Sequence, residues 1–133
     1  MKIAILGYGK MGQIIEKIAQ KRGHKTILKI NQNNLYQLNI NNLKKADVVI
    51  DFSTPESART NIIQSIDANT PIVSGTTGWL DDYKEVKDYC IKNKGTFLHA
   101  SNFSLGVNLF FELNKYLAKL MKEHQNYQID LTE

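Results

Sequence analysis

The opening dozen residues leave this chain few ways to fold. Ile3-Ala4-Ile5-Leu6 is a short apolar run that stops at Gly7-Tyr8-Gly9-Lys10-Met11-Gly12. The run reads as a buried strand. Met11, Ile14, Ile15, Ile18 and Ala19 then recur at helical spacing until Arg22-Gly23 supplies a stop. A G-x-G-x-x-G between a strand and a helix is the dinucleotide fingerprint in its required setting. Gly7 would make the tight turn, Gly9 would let backbone approach a pyrophosphate, and Gly12 would let the helix lie close on the strand. The helix start offers unpaired N–H groups and a positive dipole end to that anion. Any strand-to-helix turn can use glycines, so it is the setting that gives this one meaning.

The alternation continues. Strands are expected over 25–30, 46–52, 71–74 and 96–100, with helices after Ser53-Thr54-Pro55-Glu56 and from about Asp81. In the first of these helices, Pro follows a Ser/Thr cap, as helix starts prefer. Its buried stripe is expected to be Ala58, Ile62, Ile63 and Ile66; in the second helix, Tyr83, Val86 and Cys90. Residues 31–42, crowded with Asn and Gln, read as loop with room for a weak strand around 37–40. A longer helix is expected from Ser104 or Leu105, then an alternating strand over 127–132. Strands separated by helices argue an α/β fold with a doubly wound parallel sheet, Rossmann-like, because parallel strands need crossovers. The last helix and strand break that rhythm and read as the start of something else.

Composition narrows the partners. The 133 residues carry 17 Lys+Arg against 13 Asp+Glu, a net charge of +4. That balance permits anionic ligands and names none. Basic residues gather only around Lys21, Arg22, His24, Lys25 and Lys29, with no aromatic interleaving, so no nucleic-acid partner is expected. Apolar runs of about four residues predict no membrane span. The single Cys excludes a disulfide scaffold, no Cys/His pair has zinc spacing, and a cytoplasmic setting is expected.

Small polar residues recur at three further strand ends: Phe52-Ser53-Thr54, Gly75-Thr76-Thr77-Gly78 and Ser101-Asn102-Phe103. Carboxyl ends of parallel strands line the ligand crevice. The acidic residue expected after the second strand is replaced by Asn31, 19 residues beyond Gly12. Asn can bond a ribose hydroxyl without repelling a 2′-phosphate, and Lys29 and Lys10 lie near in sequence. The choice between NADH and NADPH therefore stays open. His24, His99, His124 and Cys90 sit where structural roles are expected. Neither a Ser/His/Asp set nor a carboxylate pair stands out, so the sequence offers a cofactor seat with no catalytic acid or base and no metal site.

Taken together, Gly7–Gly12, Asp51-Phe52-Ser53-Thr54-Pro55, Gly75–Gly78 and Ser101-Asn102-Phe103-Ser104-Leu105-Gly106-Val107-Asn108 resemble the 4-hydroxy-tetrahydrodipicolinate (dihydrodipicolinate) reductases. The resemblance implies reduction of a cyclic imine-type dicarboxylate in the diaminopimelate route of lysine synthesis, with NADH or NADPH as cofactor. It implies cofactor contacts at Gly7, Tyr8, Gly9, Lys10, Met11, Gly12, Asn31, Gly75, Thr76, Thr77, Ala100, Ser101, Asn102 and Phe103, with Phe52 and Ser53 added.

It further implies that residues 1–103 form the dinucleotide domain and that 104–133 begin a substrate and oligomerisation domain. Relatives continue into a His-His motif and a Lys-x-Asp-x-Pro-Ser-Gly-Thr-like stretch that this sequence does not contain. The expectation is a cofactor half, inactive alone, that self-associates through 105–133. The alternatives are a non-catalytic nucleotide-binding or oligomerising module, and another Rossmann-type enzyme such as a different dehydrogenase or a methyltransferase.

Overall fold

Strand β1 (Lys2–Leu6) runs through the interior of a five-stranded, wholly parallel sheet. It pairs with β2 (Lys25–Ile30) on one side and β3 (Val48–Asp51) on the other. Strands β4 (Ile72–Ser74) and β5 (Phe97–His99) extend the second side, giving the order β2-β1-β3-β4-β5. The register is level at one edge. Leu6 pairs with both Ile30 and Asp51, Asp51 with Ser74, and Ser74 with His99. All five chains therefore leave the sheet along one line. The computed structural model describes residues 1–124, 126–128 and 130. It comprises two compact units, Met1–Ser101 and Asn102–Glu133.

In the first unit the crossovers are α1 (Lys10–Lys21), a short α2 (Ile40–Leu43), α3 (Pro55–Asp67) and α4 (Tyr83–Lys92). Two apolar clusters result. The larger joins Ala4, Leu6, Leu28, Ile30, Val49 and Ile72 to Leu43, Ala58, Ile62, Ile66, Val86 and Cys90. Burying each large aliphatic chain there is worth about 1.5–3 kcal/mol. The smaller holds Ile3 and Ile5 against Ala19, with Tyr8, Ile15, Val48 and Ile50 half-buried around them. The expected doubly wound parallel sheet is what the chain forms, with its two faces unequally covered. Met11, Ile14 and Ile18 of α1 stay about half exposed.

Several local expectations are corrected. Residues 37–40 form no strand; a 3₁₀ turn over Leu35–Gln37 leads into α2. Asn39 caps that helix through the Asn42 N–H at 3.0 Å, so amide side chains replace a ladder with local turns. On α3, Ile63 is only half-buried, and Asn61 and Ser65 share the buried face with Ala58, Ile62 and Ile66. Tyr83 is exposed, whereas Val86 and Cys90 are buried as expected.

The second unit is dominated by α5 (Leu105–Met121), whose first turn the Ser104 hydroxyl caps by accepting from the Val107 N–H. None of its residues is buried. Of the strand expected over 127–132, residues 129, 131 and 132 lie outside the described residues; 127, 128 and 130 carry no strand pairing. Among the described residues no helix is long and apolar enough to cross a membrane, and no cluster of His, Cys, Asp and Glu is arranged for a metal.

Candidate functional site

A cleft of about 660 Å³ opens at the level edge of the sheet, between the ends of β1, β2 and β3. This is where the chain turns from β2 back across β1 to β3, the switch point at which open parallel sheets hold ligands. Its walls are Leu6, Gly7, Tyr8 and Gly9; Ile30, Asn31, Gln32, Asn33 and Leu35; and Phe52, Ser53, Thr54, Ser57 and Asn61.

The glycine turn is built as its sequence demands. Gly7 has φ +83°, and a Cβ there would lie 2.1 Å from the Phe52 carbonyl oxygen, so no other residue fits. A Cβ on Gly12 would meet the Gly7 carbonyl at 2.6 Å, which explains how α1 starts so near β1. A Cβ on Gly9 would meet nothing within 4 Å, leaving open space on the backbone there.

The amides divide into two sets. Gly7 and Tyr8 both donate to the Ile30 carbonyl, at 3.0 and 2.8 Å, and tie the turn to β2. The first intrahelical bond runs from Gln13 to Gly9, so the first turn of α1 keeps the unpaired N–H groups every helix start has. Gly9 stands at the cap position and no side chain closes it. Two other starts carry side-chain bonds: Ser57 accepts from the Thr54 N–H at the start of α3, and Ser104 caps α5, whereas Asp82 makes no cap bond at α4. The uncapped start of α1 beside the cleft suits an anion.

Asn31 folds the end of β2 into a turn. Its Oδ1 accepts from the Asn33 N–H at 2.8 Å, and its own N–H donates to Asn34 Oδ1 at 2.7 Å. Its NH2 remains as the group to offer a ligand. Lys29 is engaged elsewhere, 3.3 Å from Glu16 and 5.1 Å from the centre of the Tyr8 ring. Tyr8 donates its hydroxyl to Glu16. That bond, aided by Lys29, holds the Glu16 carboxyl below the usual carboxylate range; the same bond pushes the Tyr8 phenol above its own, with Lys29 opposing. Lys10 is exposed and makes no ion pair among the described residues.

The later strand ends take different places. Phe52 and Ser53 line the cleft. Gly75 lies beneath the Phe52 ring, where a Cβ would come within 2.2 Å of a ring carbon. Thr76 is buried: its hydroxyl donates to Asp51 and accepts from the Ser53 N–H, so its side chain belongs to the wall rather than the ligand surface. Thr77 is exposed beside it. Ala100 is half-buried, its N–H bonded to the Ser74 carbonyl, and Ser101 is exposed. In the second unit, Asn102 accepts from the Ser104 N–H, Asn108 donates back to the Asn102 carbonyl, and Phe103 is exposed. Sequence reasoning missed Asn61, Ser57, Gln32 and Asn33 as wall residues. The signal for Asn61 was a polar residue on the apolar stripe of α3.

Comparison with known proteins bears on the chain as a whole. A family model described as "Dihydrodipicolinate reductase, N-terminus" matches residues 1–103. The chain belongs to the dihydrodipicolinate reductase family. The 4-hydroxy-tetrahydrodipicolinate reductase of Christiangramia forsetii is 47% identical over all 133 residues, and that of Rickettsia rickettsii is 35% identical over 127. These alignments cover 55% and 51% of the relatives, so the chain spans about half their length.

Among solved structures, a dipicolinate-bound dihydrodipicolinate reductase from Paenisporosarcina sp. TG-14 superposes with a TM-score of 0.72 at 23% identity, over 89% of this chain and 53% of that one. A hyperthermophilic archaeal homoserine dehydrogenase in complex with NADPH gives 0.57 at 12% identity, over 74% and 43%. Both likenesses speak to the fold. Dihydrodipicolinate reductases draw on NADH or NADPH.

Proposed function

We propose that this chain is the nucleotide-holding part of a reductase that converts 4-hydroxy-tetrahydrodipicolinate to tetrahydrodipicolinate for lysine synthesis, at work in the cytoplasm. The observation that carries this reading is the glycine turn, which presents an uncapped helix start to a cleft at the switch point of the sheet. A dinucleotide fits it. The free amides of the first turn of α1 take the pyrophosphate, Gly9 leaves room for it, and Asn31 donates to the ribose. The donor at Asn31 suits a 2′-hydroxyl or a 2′-phosphate oxygen alike, and among the described residues no carboxylate lines the cleft, so both NADH and NADPH are expected to bind. Lys10, Met11 and Gly12 act through backbone and charge at the helix start. Gly75, Thr77 and the backbone of Thr76, with Ala100–Phe103, are assigned to the far half of the cofactor.

When bound, the nicotinamide supplies the hydride. Residues 1–103 hold and orient it, and residues 104–133 begin the part that meets a dicarboxylate substrate. Hydride transfer also needs the acceptor carbon fixed close by, and such positioning is worth several kcal/mol of barrier. No His–Lys pair stands at the cleft among the described residues, so the chain by itself is expected to turn over little substrate. The apolar surface of α5 is assigned to self-association.

Titration of the 133-residue chain with NADH, NADPH and S-adenosylmethionine tests the reading. Saturable binding of both nicotinamide nucleotides, and none of the methyl donor, is expected. Failure to bind either nucleotide would overturn it.

A further inference from the structure

Behind the cleft wall, and lining none of it, the Asp51 carboxylate is completely buried at the end of β3. It accepts four hydrogen bonds. Oδ1 takes the Ser53 hydroxyl at 2.7 Å and the Asn61 amide at 2.9 Å; Oδ2 takes the Ser74 and Thr76 hydroxyls, each at 2.8 Å. All four partners donate, which suits an ionised carboxylate, an acceptor only. No cation is paired with it among the described residues. Burying a charge this way is costly, and an apolar residue of similar size would fill a strand end more cheaply. Such a group calls for a role beyond packing.

Its partners show the role. Ser53 and Asn61 are themselves cleft walls, so their orientation toward the cleft is set from behind by Asp51. Thr76 relays the tie further: its hydroxyl donates to Asp51 and accepts the Ser53 N–H at 2.9 Å. The Thr76 carbonyl is held in turn by the Trp79 indole at 2.9 Å and by the His99 ring at 3.1 Å. The loops after β3 and β4 are thus locked at one height, with the Phe52 ring seated on Gly75.

We infer that Asp51 is a positioning residue for the cofactor. It fixes the loop carrying Phe52 and Ser53 against the Gly75–Thr77 turn, so that the two meet one dinucleotide as a single surface. The inference rests on the cleft being the dinucleotide site.

The test measures, in the full chain, NADH affinity, thermal stability and the hydrogen-exchange rate of the Ser53 amide. Asp51→Asn keeps the shape and strands the Ser74 and Thr76 hydroxyl protons. It is expected to weaken NADH about tenfold and to speed Ser53 exchange by a similar factor. Ile62→Val, a core change on α3, is the control: it lowers the melting temperature and leaves affinity unchanged.

Ser74→Ala removes one donor without touching the cleft and is expected to weaken NADH by about threefold. It decides the matter should Asp51→Asn fail to fold. NADH affinity within twofold of wild type in Asp51→Asn, or unchanged in Ser74→Ala, overturns the role of Asp51. A wild-type chain that binds neither nucleotide overturns the reading of the cleft instead, so the two failures are distinguishable.

Discussion

The ends of β3 and β4 and the surface of α5 are written in opposite ways. At the strand ends, Asp51, Ser74 and Thr76 are buried and polar, and every hydroxyl there has a partner. On α5, Leu105, Leu109, Phe110, Leu113, Tyr116, Leu117 and Leu120 are all more than half exposed. One region hides its polarity because all the donors it needs lie within its own unit. The other shows its apolar residues because, among the described residues of its unit, no second helix or strand covers them. Burial follows from what the surroundings supply, and residue type alone misjudges both.

Four measurements can break or sharpen this contrast. The largest effect is expected for Asp51→Ala, which leaves four buried donors without an acceptor. A loss of about 4 kcal/mol in chemical denaturation is expected, and a loss below about 1 kcal/mol would mean the strand ends are held by something else. Next, Ile62→Ala in the main core should cost about 3 kcal/mol by leaving a cavity. Third, replacing Leu113 and Leu117 together by Lys should leave unfolding of the first unit within about 0.5 kcal/mol while abolishing self-association in light scattering. Monomeric wild-type chain at tens of micromolar would remove the reason for that exposed face.

The smallest effect concerns the link of Tyr8, Glu16 and Lys29. The Tyr8 hydroxyl, and then Lys29, hold the Glu16 carboxyl below its usual range. A lowered carboxylate contributes stability that is complete above its unfolded value, about 4.3, and is lost as pH falls through the folded one. Wild type should therefore exceed Tyr8→Phe in melting temperature by a small, constant margin between neutral pH and about 5. The margin should close below that; one that persists at strongly acid pH would contradict the link.

Much of the sheet and one wall of the cleft are legible in the residues themselves. The run before Gly7, the stop at Gly23 and the cap at Thr54-Pro55 are local signals, and the structure forms their elements at those places. What could not be read was non-local. Residues 35–43 turn because Asn39 and Asn42 bond their own neighbours, and a strand-like pattern cannot report that. Ile63 and Asn61 exchange expected places because Asn61 has a carboxylate to serve ten residues earlier in the chain. Thr76 looked like a ligand contact because its motif sits at a strand end, and only the fold turns its hydroxyl toward Asp51. The carboxylate itself gave one faint signal, a charge closing an apolar strand.

The four donors to Asp51 have a consequence for how the chain is made. Ser53 and Asn61 follow it within ten residues, but Ser74 and Thr76 arrive 23 and 25 residues later. A chain emerging from the ribosome therefore carries a half-solvated charge at the tip of β3 until β4 is out. The tip of β3 is therefore expected to settle only once β4 has been made, the two strands docking as a pair.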